Sequence, residues 1–216
     1  MSTSEEILDL QNALATARTQ LKHAAQSDER LAAHKAVLTA ERALAAARNE
    51  PHAVPMGFLL PWDTGAPLPH LLQNDDRTFL VFVLADIGRN SDGSYASVRR
   101  PDDANSVNVA IVEFKPCLCT KMGTPNDEVL HGHPLHGKGL ESYCAMRVLN
   151  SAWIKELQAI NSVHSRYSPE SWGDLSHFIF GFHDCTFECV AESFVVEPRT
   201  ATIPDVLAEI CNELCK

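Results

Sequence analysis

Apolar positions in the first fifty residues recur every three or four places: Ile7, Leu10, Leu14, Ala17, Leu21 and Ala24, then Ala33, Val37, Ala40, Leu44 and Ala47. That period marks an amphipathic helix. Thr3 with Glu6 fits a capping box, and Gln26-Ser27-Asp28-Glu29 reads as a turn with Ser27 or Asp28 as the next N-cap. The pattern therefore predicts an antiparallel helical hairpin over residues 5–48, its alanines permitting close approach of the two helices. His23 and His34 read as surface or flank residues of this arm.

The pattern changes near residue 50. Pro51, Pro55, Pro61, Pro67 and Pro69 exclude a continuous helix, so residues 1–50 form an arm and residues 51–216 a body. An extended segment anchored through Phe58, Leu60 and Trp62 is expected next. Arg77 to Asp86 and Val107 to Phe114 read as buried strands, paired antiparallel across a polar loop over 88–105. Gly139 to Leu149 suits helix or strand equally. Asn150 or Ser151 caps a helix reaching about His164, and Pro204 to Cys215 forms a last amphipathic helix. Strands and helices in this irregular order predict an α+β fold: an antiparallel β-sheet body with flanking helices, preceded by the helical hairpin.

The strongest hairpin signal runs from His177 to Glu192. With Asp184-Cys185 as a two-residue turn, Phe178, Phe180, Phe182, Phe187, Cys189 and Ala191 share one face, which must be core. The other face carries His177, Ile179, Gly181, His183, Thr186, Glu188, Val190 and Glu192. In that register Glu188 lies diagonal to His183, with Gly181 leaving room between them. A carboxylate beside an imidazole raises its pKa or fixes its tautomer, as acid–base and metal sites both require.

At 216 residues and 45% apolar, the chain can bury a real core. No apolar run is long enough to span a bilayer, and the N-terminus shows no secretory signal, so a cytoplasmic protein is expected. The net charge is −10, of which residues 51–216 carry −9. An acidic body of this kind excludes nucleic acid and anionic membrane as partners and favours a small molecule, a metal or a protein. Seven cysteines without a signal point to reduced thiols. Dinucleotide-binding, phosphate-loop, zinc-protease and serine-hydrolase motifs are absent.

The remaining chemistry concentrates in residues 126–140, where three histidines, two carboxylates and three glycines crowd one loop. Histidines at i, i+2 and i+5 can converge on one ion, which makes Glu128, His131, His133 and His136 candidate ligands for a transition metal such as zinc. The metal-free alternative is acid–base catalysis by His133, His183 and Glu188 on a small molecule, with Asp127 a further orienting carboxylate. In both versions the loop folds over the late hairpin to enclose a pocket. A non-catalytic alternative, an immunity-type or regulatory module, would use the acidic body and the arm for protein contact, with the arm also able to form a homodimer.

Asn126-Asp127-Glu128, His131-Gly132-His133-Pro134-Leu135, Gly137 and Gly139-Leu140, then Asn150-Ser151, Trp153-Ile154, His183-Asp184 and Thr186-Phe187-Glu188-Cys189, resemble a group of small soluble bacterial proteins over about residues 51–195. The resemblance implies a soluble bacterial protein and carries no activity or catalytic residue with it.

Overall fold

The two apolar stripes of the first fifty residues meet each other. In a computed structural model that describes residues 3–85, 100 and 104–216, helices α1 (Ser4–His23) and α2 (Ser27–Ala47) bury Leu14, Ala17, Val37 and Leu44 between them. The capping box forms: Glu6 N–H donates to Thr3 Oγ1 at 3.2 Å, and Thr3 N–H returns a bond to the Glu6 carboxylate at 2.8 Å. The second N-cap is Gln26, one residue before the expected pair, with Glu29 supplying the reciprocal bond. Ser27 and Asp28, expected as caps, are instead the first two residues of the helix.

Among the described residues the body is a seven-stranded antiparallel sheet in the order β1 (His52–Pro55), β5 (Ala145–Leu149), β6 (Ser176–Gly181), β7 (Thr186–Ala201), β4 (Val107–Gly123), β3 (Thr78–Val83) and β2 (His70–Gln73). The chain is α+β, as its pattern predicts. β3 and β4 pair as expected, Phe79 opposite Glu113. The undecided stretch at 139–149 supplies β5, and β1 and β2 emerge from the proline-rich segment. The polar loop expected over 88–105 lies mostly outside the described residues.

β4 and β7 are the long strands, 17 and 16 residues, and they pair along most of their length with a register shift between Cys117 and Cys119. One half of this ribbon carries β3 and β2. The other half carries β6, β5 and β1. In a flat sheet β3 and β6, three places apart, would stand about 14 Å from each other. Yet the rings of Phe82 on β3 and Phe182 after β6 are 5.2 Å apart. The sheet is thus folded over on its long ribbon, and a bulge of this kind is what lets a strand bend.

The folded sheet closes on an aromatic core of Phe82, Phe114, Phe178, Phe180, Phe182 and Phe187. Trp62, Phe58 and Leu60 of the extended segment stop its open side, as expected from their composition. On the outer face of the β2–β3 wing, α4 (Ile203–Leu214) lays down Ile203, Val206 and Ile210 against Phe79, Val81 and Ile111. The outer face of the other wing is covered by the histidine-rich loop. Leu135 sits there among Ala53, Met146, Val148 and Ile179.

The arm also rests on this wing. Arg42 of α2 donates to Ala53 O at 2.9 Å and Gly139 O at 2.8 Å and pairs with Glu141. Gly139 is obligatory at this contact: its φ is +84°, and a Cβ would lie 2.6 Å from Ala53 O and 2.5 Å from Arg42 Cγ.

Candidate functional site

The late hairpin has a four-residue turn, Phe182 to Cys185, closed by Phe182 N–H to Cys185 O at 2.9 Å. Gly181 therefore faces Thr186, Ile179 faces Glu188 and His177 faces Val190. The expected two-residue turn at Asp184-Cys185 is corrected by this register. Both faces keep their membership, because the slip moves every partner by two residues. The neighbour of Glu188 nonetheless changes: His177 becomes its diagonal partner, and His183 moves away to the turn.

Two polar clusters result. In the first, His177 Nε2 lies 2.8 Å and His133 Nε2 3.7 Å from the two oxygens of Glu188. Ser151 Oγ, the N-cap of helix α3 (Ala152–Asn161), lies 2.9 Å from His177 Nδ1. Leu135 N–H donates to His133 Nδ1 at 3.1 Å, so in the neutral ring the proton sits on Nε2, facing Glu188. His177 must likewise present Nε2–H to the acceptor-only carboxylate, leaving Nδ1 to accept from Ser151. Two imidazole N–H groups thus converge on one carboxylate. Burial alone would push the Glu188 carboxyl up, but the facing imidazoles more than reverse this and hold it at about 2.

This cluster is closed. Side-chain exposure is 7% for His133, 6% for His177 and 15% for Glu188. Trp153 of α3 stands edge-on to His177 at 5.1 Å, and Lys121, opposite Glu188 across the ribbon, places its ammonium 3.7 Å from the Trp153 ring centre. The room expected beside Gly181 is filled by backbone: a Cβ there would lie 3.2 Å from Glu141 O. Ser151, His177 and Glu188 superficially form a serine–histidine–carboxylate row. Ser151 is buried, however, and its Oγ already accepts Ile154 N–H at 3.2 Å, so it serves as a helix cap rather than a nucleophile.

The second cluster is open. Asp127 Oδ2 accepts from Tyr143 O–H at 2.5 Å and from His183 Nδ1–H at 3.1 Å. Asp127 N–H also donates to His183 O at 3.1 Å, and Thr186 Oγ1 donates to Pro125 O at 2.9 Å, which ties the start of the loop to the hairpin turn. The Asp127 carboxyl is held low by the Tyr143 hydroxyl and by His183, against the opposing effect of burial. Burial and the neighbouring Asp127 charge push the Tyr143 phenol up to about 12. The His183 imidazole is raised by its bond to Asp127. Its side chain is 41% exposed, with Nε2 3.9 Å from Asp184 Oδ1.

The four residues expected as metal ligands do not converge. Leu130–Gly132 forms a single 3-10 turn, and Leu135 is drawn into the sheet, which splays the histidines apart. Glu128, His131 and His136 are exposed, the rings of His131 and His136 stand 6.5 Å apart, and His133 alone turns inward to Glu188. Among the described residues no group of three or more His, Cys, Asp or Glu side chains could hold a metal ion. Of the expected acid–base set, His133 and Glu188 come together, whereas His183 joins Asp127.

Two contributors escaped the sequence reading. Tyr143 lay in the stretch that fitted helix or strand equally, and its left-handed φ of +55° breaks any simple period there. His177 was on the right face, but the turn length hid its pairing with Glu188. Comparison of the chain with protein-family models, curated proteins and solved structures finds no match in any of the three.

Proposed function

We propose that this is a soluble cytoplasmic bacterial protein that performs acid–base chemistry on a small molecule, with His183 as the proton carrier. The observation that supports this is the orientation of His183: Nδ1 is engaged by Asp127 and Tyr143, which leaves Nε2 as the basic nitrogen on a half-exposed ring. A carboxylate that fixes the tautomer and raises the basicity of an imidazole is the standard means of making a general base. His133 and Glu188 serve as positioning residues, because their cluster holds the loop that carries Asp127. The chemistry needs no metal ligand from the loop.

A panel of chromogenic carboxylic and phosphoric esters tests the reading. Turnover should rise with pH through the His183 ionisation and fall by about 100-fold or more in His183→Gln. In Asp127→Asn the rise should move to lower pH, and proton NMR of the His183 ring should report the same displacement. Turnover indifferent to His183→Gln, or absent across the panel, removes the proposal.

A second reading, a non-catalytic interaction module of the immunity or regulatory type, draws on a different observation. Helix α3 buries none of its residues, and Ile160 in its last turn and Val163 just beyond it are 61% and 90% exposed. Under this reading the double substitution Ile160→Asp, Val163→Asp leaves urea unfolding unchanged and removes a specific crosslinked partner in cells. An unchanged crosslinking pattern eliminates it. Association through the arm is a variant of the same proposal, and sedimentation of the purified chain decides it.

A further inference from the structure

The second half of the histidine-rich loop takes no part in either cluster. His136, Gly137 and Lys138 turn instead toward the arm, where a groove of about 390 Å³ runs between them and helices α1 and α2. The buried Leu14, Leu44 and Ala45 give it an apolar strip. Its walls carry the cations Arg18, Arg48 and Lys138 together with His136.

The two carboxylates in the groove are already engaged. Glu41 is buried and accepts Arg18 Nη2 at 3.1 Å and Gly139 N–H at 3.3 Å. Glu50 takes Lys138 Nζ at 3.1 Å. Arg48 is exposed, and its guanidinium makes no ion pair or hydrogen bond among the described residues. Arg18 is more than half exposed and Lys138 about one-third, so neither is closed off by its carboxylate partner. In a chain of net charge −10, the groove thus carries three permanent cations against two carboxylates, a local excess of one positive charge. A local positive excess of this kind favours a small anion at the groove.

We propose that this groove binds a phosphate monoester with a flat or apolar body, of nucleoside monophosphate size. The phosphate would take the Arg48 fork and the Lys138 ammonium, with His136 beside them, while the body lies on Leu14, Leu44 and Ala45. Guanidinium matches phosphate in a planar, paired geometry, and lysine adds a point charge. The volume suits a ligand of that size, about 300 Å³ upward. A long polyanion is disfavoured, because the acidic body flanks the groove. Arg48 also follows the C-terminus of α2, where a cation complements the helix dipole. That structural role predicts an effect on stability and none on phosphate binding, so the two are separable. The inference is independent of His183.

The test uses the full chain at about 50 mM salt, where screening is weak, with adenosine monophosphate and inorganic phosphate as probes. Isothermal titration should show the nucleotide binding with a Kd of about 1 mM or tighter and phosphate alone at least tenfold more weakly. Arg48→Gln with Lys138→Gln should weaken the nucleotide by about tenfold or more, with the urea midpoint preserved. Should the double variant not fold, Arg48→Gln alone carries the test, since that side chain has no partner among the described residues. No binding up to about 10 mM nucleotide overturns the proposal. So does equal affinity in the variant, and so does phosphate binding as tightly as the nucleotide, which would leave the apolar strip without a role.

Discussion

Replacing Glu188 by glutamine keeps the size of the side chain and removes its charge. In the native chain its carboxyl is held at about 2, against an ordinary value of 4.5. A carboxyl so depressed stabilises the folded state by about 3 kcal/mol once it is ionised in both states. The sign follows from the direction. The contribution is complete above the unfolded value and is lost as pH falls through the folded one. Wild type should therefore exceed Glu188→Gln by about 3 kcal/mol at pH 7 and by about 2 kcal/mol at pH 3.5. For a chain of this length that is roughly 6–12 °C in Tm at neutral pH. Urea unfolding followed by circular dichroism at pH 7, 5 and 3.5 measures both quantities. A cost below about 1 kcal/mol at pH 7, or one that does not shrink on acidification, would refute the claim that two imidazoles hold Glu188 ionised. Adding His177→Gln separates the pair from the site: the second substitution should cost much less in the Glu188→Gln background than in wild type.

Gly139→Ala should destabilise the chain by about 2 kcal/mol or more through its left-handed backbone alone, and limited proteolysis should then cut between the arm and the body. An alanine tolerated without loss would mean that the backbone at this contact does not require glycine. Phe82→Ala should cost about 3–5 kcal/mol in urea unfolding, because its ring joins the two wings of the folded sheet; a cost near 1 kcal/mol would place that junction elsewhere.

The parts of the fold most legible in the sequence were those with an undivided period. The stripe through Leu14, Ala17, Val37 and Leu44 became the interior of the hairpin arm without change. Alternation through Phe178, Phe180 and Phe182 named the core face correctly even though the turn was two residues too short. Side chains repeat every two residues in a strand, so a slip of two preserves faces and alters only neighbours. That alteration decided the chemistry, since it exchanged His183 for His177 beside Glu188. The loop was harder to read because no period governs it. Spacing of His131, His133 and His136 allowed convergence on an ion, but Leu135 between them is apolar and follows the sheet, turning the histidines to different sides. Tyr143 had no signal at all: only the backbone crossing over Gly181 brings it to Asp127.

Asp127 and Glu188 are both carboxylates with imidazole partners, and their surroundings assign them different work. Glu188 is shut under Trp153 and the loop, its two partners both spend a proton on it, and no nitrogen of the pair is left for a substrate. Asp127 engages only one side of His183, and on the other side Nε2 has just the exposed Asp184 carboxylate, 3.9 Å away, beside it. The buried pair can act on chemistry only through position: His133 stands six residues after Asp127 and five before Lys138, so fixing it fixes both the rim at His183 and the basic groove at the arm. A glycine-rich loop would otherwise lose that order cheaply to chain entropy. The charged interior tie is the device that prevents it, and its strength sets how well the exposed dyad keeps its geometry.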